Sequence, residues 1–433
     1  MLIASDAKHD WVGLYLRTCE INMPASANHR LNDSIYGRLG VRTIINASGP
    51  STRLSGGIML PEVAQAMVEA SQWCIDLCEL HGRASELIAD ATGAEAGYVT
   101  AGAAAALMLG TAGCLAGLDP ARMNRLPDTT GIPHEVIVAR SQRNMYDHAV
   151  TQAGARLVEV GIPDRFSGAG VRDAQIWEYE AAVNEKTAAI LFVAQGHAEP
   201  PLSLIVELAH RRGLPVIVDA AGQLPPADNL KRFIAEGADL VAFSGGKALG
   251  GPQASGILAG RRDLVQSAAL QQLDHDTYFE QWSPPTNLID KSRLMGVPAS
   301  GIGRVAKCGK EEIVGLLTAL RIFLEQDHDQ VHGRWLALCQ DIAAGLEGIA
   351  GAELALIKRN GKGVPEVQLK LDQTRIGLSA ARLIKQLQDG DPSVHVNHAR
   401  AREDVIVLGP TCLRTGDVEL LVKRMRAELG ATR

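Results

Sequence analysis

Seven short apolar runs, rich in β-branched residues, constrain the fold of this chain more than any other feature. Helix-like segments separate most of them, such as residues 202–213, which end at a glycine. Strands that are apolar along their whole length need cover on both faces, so an α/β fold with a mostly parallel sheet is predicted. The last two runs are too close for a crossover helix, so one strand should be antiparallel. The runs are residues 97–100, 135–139, 156–160, 189–194, 215–219, 239–244 and 255–260.

A different pattern follows residue 300. Two long amphipathic helices are predicted at 310–327 and 332–349, and shorter apolar runs and helices follow them, which indicates a small α+β domain. We therefore expect an N-terminal arm at 1–45, a large domain at 46–300 and a small C-terminal domain at 301–433. The arm is followed by a short strand and a Gly/Ser/Thr loop within 40–57. Pro61 is expected to open a helix that continues to about residue 80.

Composition and charge limit the classes of partner and cellular location that we expect for this protein. The 433 residues are 46% apolar and 21% charged, and a formal charge of −6 disfavours nucleic acid as a partner. Charged residues within the first ten positions leave no signal core, and no long apolar stretch follows, so a cytoplasmic protein without membrane contact is expected. The seven cysteines show no metal-ligand spacing, so we expect no metal site and small, buried, reduced thiols.

A lysine set among glycines follows one of the apolar runs, in the stretch DLVAFSGGKALGGPQASG (239–256). A phosphate-binding Walker loop would need glycine at Val241 and a hydroxyl residue at Ala248, so that interpretation fails twice. A dinucleotide fingerprint after the first run also fails, because Ala104 and Leu107 stand where glycines are needed. The remaining functional interpretation is that Lys247 forms a Schiff base with pyridoxal 5′-phosphate (PLP).

PLP chemistry makes further demands, and the sequence has a candidate for each. The pyridine nitrogen needs a carboxylate, and Asp219 ends the run at 215–219. The phosphate needs backbone amides at the start of a helix, and the cofactor ring needs a flat side chain beside it. The substrate anion needs an arginine, whose guanidinium can donate two parallel hydrogen bonds. The cofactor candidates are Gly102, Ala103, Ala104, Ser244 and His148 or Tyr146; the substrate candidates are Arg53, Thr52, His197 and Arg304, followed by Arg400, Arg402 and Arg414.

Each residue alone has an ordinary interpretation. Lys247 can be a loop lysine, Asp219 a helix cap, the alanine-rich segment a tight helix contact, and His148 a satisfied polar group. Arg53 can tie a loop to the core, and Arg304 can line a hinge. The order of the first four, each at the end of an apolar run, is what favours PLP.

The sequence also resembles a known family, most specifically in SGGKALGGPQ (244–253), and also in INASGPSTRLSGG, PVIVDAAGQLPP and GIGRVAKCGKEEIVGLL. It is similar to the fold-type I PLP enzymes grouped around bacterial selenocysteine synthase (L-seryl-tRNA(Sec) selenium transferase) and D-glucosaminate-6-phosphate ammonia-lyase. The resemblance implies a seven-stranded, mostly parallel sheet with one antiparallel strand. It also implies a homodimer or larger homo-oligomer with active sites at the interface, Lys247 as the imine lysine and Asp219 as the pyridinium partner.

The resemblance favours a lyase that abstracts the α-proton of an amino acid or amino-sugar acid, eliminates a β-substituent and releases ammonia and a keto acid. Racemase, aminotransferase and β-substitution chemistry remain alternatives, as does a non-catalytic PLP-fold protein. The tRNA-dependent branch is disfavoured, because the chain has no basic N-terminal domain and carries net negative charge.

Overall fold

The computed structural model describes residues 34–162, 174–196, 198–298, 300–359 and 363–430. His197 and most of the expected N-terminal arm lie outside the described residues. The strands are β1 (Ile44–Ala47), β2 (Ala96–Thr100), β3 (Glu135–Ala139), β4 (Arg156–Val160), β5 (Thr187–Val193), β6 (Val216–Asp219), β7 (Leu240–Ser244), β8 (Gly256–Gly260), β9 (Ala352–Ile357), β10 (Glu366–Leu371), β11 (Ser393–Val396) and β12 (Val405–Leu408). The helices are α1 (Ile35–Arg38), α2 (Pro61–Ser71), α3 (Leu77–Thr92), α4 (Ala103–Ala116), α5 (Pro120–Arg125), α6 (Asp147–Gln152), α7 (Ile176–Ala182), α8 (Leu202–Arg211), α9 (Asn229–Ala235), α10 (Arg262–Gln272), α11 (Lys310–Glu325), α12 (His328–Leu346), α13 (Gln373–Ile376), α14 (Ala380–Asp389) and α15 (Asp417–Gly430).

All seven predicted runs form one sheet, in the order β2-β8-β7-β6-β5-β3-β4. Strand β8 is antiparallel to both of its neighbours, and the other adjacent pairs are parallel. The prediction of a mostly parallel sheet with one antiparallel strand is therefore confirmed.

Helices cover both faces of this sheet, as strands that are apolar throughout require. Along β7, Leu240 and Ala242 belong to a core shared with α4 and α10, whereas Val241 and Phe243 belong to a core shared with α3, α8, α9 and α11. All four side chains are fully buried. Alternation along the strand thus divides its side chains between two apolar layers.

The small domain has its own core and sheets. Strands β12, β10 and β9 form an antiparallel sheet that packs with α12, α14 and α15. Strand β1, which spans the expected boundary between the arm and the large domain, instead pairs in parallel with β11, and Asn46 lies opposite His395. Helix α11, expected in the small domain, places Leu316 and Phe323 in the core of the large domain. Strand β1 therefore packs with the core of the small domain, whereas α11 packs with the core of the large domain.

The expected helix from Pro61 to residue 80 is wrong in its extent, because two helices occupy this range. Helix α2 ends at Ser71, and Asp76 caps α3 by accepting hydrogen bonds from the N–H groups of Cys78 (2.7 Å) and Glu79 (3.2 Å). An aspartate that caps a new helix competes with continuation of the preceding one. Cys74 in this break is exposed, contrary to the expectation that the cysteines are buried.

Several large apolar side chains of the described residues are exposed. Trp73 is 68% exposed and Tyr278 75% exposed, and Met295 and Val305 are more exposed still. The expected homo-oligomer stays a prediction. Within the described ranges, no helix is both long enough and apolar enough to cross a membrane.

Candidate active site

The ends of three strands bring the candidate residues to one edge of the large sheet. Asp219 ends β6 opposite Ala242 of the parallel strand β7. Gly256, the first residue of β8, lies opposite both Ser244 at the end of β7 and Thr100 at the end of β2. The loop of Lys247, the Asp219 carboxylate and the start of α4 therefore meet at this edge, where α/β sheets bind ligands.

Close backbone packing explains the glycines around Lys247. The Gly251 N–H donates to the Gly245 carbonyl (2.9 Å), and the Gly250 N–H donates to the Lys247 carbonyl (3.0 Å), so the chain folds tightly on itself. A Cβ on Gly246 would lie 2.5 Å from the Cα of Gln253, which leaves no room for a side chain. The Lys247 side chain is half-buried, and its Nζ lies 4.0 Å from the position that a Cβ on Gly222 would take.

Asp219 holds a buried carboxyl group close to Lys247. It is 9% exposed, and its Oδ1 accepts a hydrogen bond from the Ala221 N–H (3.0 Å). Burial raises the pKa of Asp219; the Ala221 N–H and the Lys247 ammonium oppose this effect, and the Asp147 carboxylate adds to it. A further hydrogen-bond donor with positive charge would stabilise the ionised form of this buried carboxyl group.

Asp147 acts on the pKa of the Asp219 carboxyl group, and the sequence reasoning did not single it out. It is the first residue of α6, is 8% exposed and pairs with Arg143, which also pairs with Glu159. The expectation fell instead on Tyr146 and His148, and both side chains are exposed in this chain. An aspartate that opens a helix soon after a buried strand was the available signal, but its proximity to Asp219 depends on the sheet order.

The start of α4 offers backbone amides to an anion. Gly102 has a φ of +89° and provides no side-chain cap, so the first helical amides, those of Ala103 and Ala104, are free of a capping side chain. The third predicted amide does not join them, because the Gly102 N–H donates to the Thr100 carbonyl (2.8 Å). A Cβ on Gly256 would lie 2.4 Å from the carbonyl carbon of Gly102, so glycine there lets α4 approach the sheet edge.

The loop that carries Thr52 and Arg53 packs against the Lys247 loop. Gln253 Nε2 donates to the Thr52 carbonyl (2.9 Å), and a Cβ on Gly56 would lie 2.9 Å from the Gly246 carbonyl oxygen. The Arg53 side chain is exposed, and its charge, after burial, helps to lower the pKa of His395. The structure thus brings Arg53 to the junction between the Lys247 loop and the small domain.

Three of the other four candidate arginines pair with acidic residues elsewhere. Arg304 pairs with Asp274 (2.9 Å) on a segment that packs against α10. Arg400 pairs with Glu403 (2.6 Å), and Arg414 pairs with Asp417 (3.6 Å). Arg402 is exposed on the surface of the small domain. Within this chain, Arg53 is the candidate arginine that the described contacts link to the Lys247 loop.

These groups fit PLP by their chemistry. A half-buried amine, a buried carboxyl group and uncapped helix amides lie at one sheet edge, and they match the aldehyde, the pyridine nitrogen and the phosphate of the cofactor. Ser244, half-buried at the end of β7, lies on the same side of the sheet as the helix amides.

Comparison with known proteins agrees with this chemistry. A family model described as L-seryl-tRNA selenium transferase matches residues 128–277. D-glucosaminate-6-phosphate ammonia lyase of Salmonella typhimurium (strain 14028s / SGSC 2262) is 30% identical over 92% of this chain and 98% of its own. A 5′-C-glycyluridine monooxygenase-decarboxylase of a Streptomyces species is 31% identical over 90% of each chain.

A solved structure of D-glucosaminate-6-phosphate ammonia-lyase superimposes with a TM-score of 0.74, at 28% identity, over 92% of this chain and 99% of that one. The cofactor of this chain is accordingly PLP. The chain belongs to the family of fold-type I PLP-dependent enzymes that includes D-glucosaminate-6-phosphate ammonia-lyase and L-seryl-tRNA(Sec) selenium transferase.

Proposed function

We propose that this protein is a PLP-dependent lyase that releases ammonia and a keto acid from an amino acid or amino-sugar acid with a β-hydroxyl group. The observation that supports this most is the match to an ammonia lyase over nearly the full length of both chains. The negative net charge agrees with a small-molecule substrate rather than tRNA. Bound PLP supplies an electron sink for the pair left at Cα when the α-proton is removed.

Two residues of this chain have direct roles in the proposal. Lys247 would hold the cofactor through Nζ, and its amine would accept the Cα proton of the substrate. Asp219 would accept a hydrogen bond from the pyridinium N–H and so would keep that nitrogen protonated. The Cβ–O bond then breaks with its electron pair on oxygen, which takes up a proton and leaves as water. Hydrolysis of the released enamine returns one water and gives keto acid and ammonia, so no oxidant is needed.

A monooxygenase-decarboxylase reaction is a second candidate, because a relative with that name is as similar to this chain as the ammonia lyase is. Its name requires uptake of O2 and loss of CO2, whereas elimination requires neither. Measurement of O2 uptake and CO2 release therefore distinguishes the two functions.

The proposed function predicts stoichiometric ammonia and keto acid from a β-hydroxy amino acid or amino-sugar acid. The assay incubates the PLP-loaded protein with a panel that includes both enantiomers of serine and D-glucosaminate, with and without its 6-phosphate. Lys247→Ala should release neither product. Inverted enantiomer without ammonia, a requirement for a keto-acid co-substrate, or O2 uptake with CO2 release would each contradict the lyase.

A second prediction concerns pH and Asp219. Burial raises the pKa of Asp219 in the cofactor-free folded protein. In the unfolded chain, its pKa is about 3.9. As the pH rises above about 4, the unfolded chain releases this proton first, so the group progressively lowers the free energy of unfolding until the raised native pKa is passed. Asp219→Asn removes this titration and keeps an oxygen for the Ala221 N–H.

The thermal midpoint of cofactor-free Asp219→Asn, relative to wild type, should therefore rise as the pH increases above about 4, where the unfolded carboxyl group begins to ionise. Asp219→Asn should also lower the turnover of the loaded enzyme by at least about tenfold, since a charge-assisted hydrogen bond contributes roughly 1.5–3 kcal/mol. A midpoint difference that does not change with pH would show that Asp219 is not a strained buried carboxyl group.

A third prediction concerns the substrate carboxylate, which we place at Arg53. Arg53→Lys keeps the charge but loses the bidentate fork, so KM should rise by about tenfold or more while the absorbance of the bound cofactor is unchanged. Arg304→Lys is the matched comparison and should leave KM within about twofold, because that guanidinium pairs with Asp274. The opposite pattern, with KM raised only by Arg304→Lys, would move the anion site to Arg304.

A further inference from the structure

The strand pair of β1 and β11 carries a histidine on the face that is turned away from the core of the small domain. Val394 and Val396 of β11 are fully buried in that core. Alternation along the strand therefore turns His395, which lies between them, to the opposite face. His395 is half-buried there and lies opposite Asn46 of β1, the strand that leads into the loop of Arg53.

Hydrogen bonds fix the tautomer of this histidine. The Ser393 hydroxyl donates to the Gln388 carbonyl (2.7 Å), and its oxygen lies 3.3 Å from His395 Nε2. Because the hydroxyl proton is already used, the Ser393 oxygen accepts, so Nε2 carries the ring hydrogen and Nδ1 is an acceptor. Nδ1 is buried and has no hydrogen-bond partner among the described residues. A donor that reaches Nδ1 would therefore gain a stabilising contact.

Two guanidinium groups act on the imidazole. Burial lowers the pKa of His395, and the charges of Arg53 and Arg42 lower it further, so the ring is neutral at pH 7. Arg42 already donates to the carbonyls of Asp389 (3.4 Å) and Gly390 (3.3 Å) at the end of α14. No hydrogen bond or ion pair within the described ranges occupies the side chain of Arg53. The guanidinium with unused donors beside this acceptor is therefore that of Arg53.

The backbone beside Arg53 is held more firmly than its side chain. Gln253 Nε2 donates to the Thr52 carbonyl (2.9 Å), which ties this segment to the Lys247 loop. The guanidinium itself is exposed at the end of a long side chain. An arginine that pairs with a carboxylate through two parallel hydrogen bonds needs a fixed orientation of its planar group. A second contact from the small domain would supply that orientation.

We infer that His395 is a positioning residue for Arg53, whose guanidinium donates to Nδ1 of the neutral imidazole when a substrate carboxylate binds. The inference rests on the proposed function, in which Arg53 holds that carboxylate. An imidazole acceptor directs the guanidinium without neutralising it, so the other N–H groups keep their charge for the substrate. An acidic residue at the same place would instead compete with the substrate for the cation.

The proximity of the two side chains has a test that needs no reaction. NMR of the PLP-loaded protein with labelled histidines, in which His395→Asn identifies the His395 signal, gives the pKa of the ring. Arg53→Ala should raise the pKa of His395, because it removes a cation that disfavours the imidazolium. Arg304→Ala, at a guanidinium paired with Asp274, is the matched control and should leave it unchanged. An unchanged pKa in Arg53→Ala would overturn the inference.

Binding of an unreactive carboxylate tests the positioning role. D-glycerate has no amine, and calorimetry with the PLP-loaded protein gives its dissociation constant. His395→Phe keeps a ring but loses the acceptor, so D-glycerate should bind about tenfold more weakly. His395→Asn can place its Oδ1 where Nδ1 lies and should keep the affinity within about twofold. Equal losses in the two variants, or no loss in either, would contradict positioning through Nδ1.

A half-buried histidine elsewhere in the small domain provides the matched control. His332 Nε2 lies 3.2 Å from the Lys358 carbonyl, and His332→Phe should leave the affinity for D-glycerate unchanged. The effect of His395 should also pass through Arg53. In an Arg53→Lys background, His395→Phe should weaken binding by less than about twofold, because the positioned fork is already lost. Independent, multiplying losses in the double variant would reject the positioning role.

The outcomes for the two proposals are distinguishable, because D-glycerate binding does not require turnover. Coupled effects of His395 and Arg53 on affinity without ammonia release would leave the positioning role standing and reject the lyase. Ammonia release without that coupling would reject the positioning role alone.

Discussion

A carboxyl group buried at the end of a strand is costly when ionised, and Asp219 occupies that position with one backbone N–H as its hydrogen-bond donor. Its surroundings include a second buried carboxylate, Asp147, and the Lys247 ammonium, which act on its pKa in opposite directions. A pyridinium N–H is the kind of donor that stabilises such a group. We therefore expect bound PLP to stabilise the ionised Asp219 and, with it, the folded protein.

The other parts of the site depend on close approach at the same sheet edge. Gly256 lets the start of α4 come against β8, and Gly246 lets the Lys247 loop fold back on Gln253. That loop in turn supports the segment of Arg53 through the hydrogen bond from Gln253 to Thr52. One edge thus brings together Lys247, the uncapped amides at the start of α4 and Arg53, for which we propose the roles of anchor amine, phosphate site and substrate arginine.

Local patterns were enough to predict the large sheet, its antiparallel strand and the positions of Lys247 and Asp219, because these depend on apolar runs and on the residues that end them. Contacts between distant segments could not be predicted in the same way. The pairing of β1 with β11 joins segments about 350 residues apart, and the proximity of Asp147 to Asp219 depends on strand order. The expected helix from Pro61 ran too far, because the cap at Asp76 was not weighed. Among the arginines, only folding showed that Arg304 has an acidic partner and that Arg53 adjoins the lysine loop.

The attachment point of the cofactor tests the central claim most directly. Reduction of the loaded protein with sodium borohydride, followed by peptide mapping, should place the pyridoxyl group on Lys247, and Lys247→Ala should yield no labelled peptide. Lys291 offers a clear contrast, since its Nζ donates to the Trp282 carbonyl (2.6 Å) and lies over the ring of Phe279. A pyridoxyl group on Lys291, on Lys307 or on any lysine other than Lys247 would contradict this account of the site.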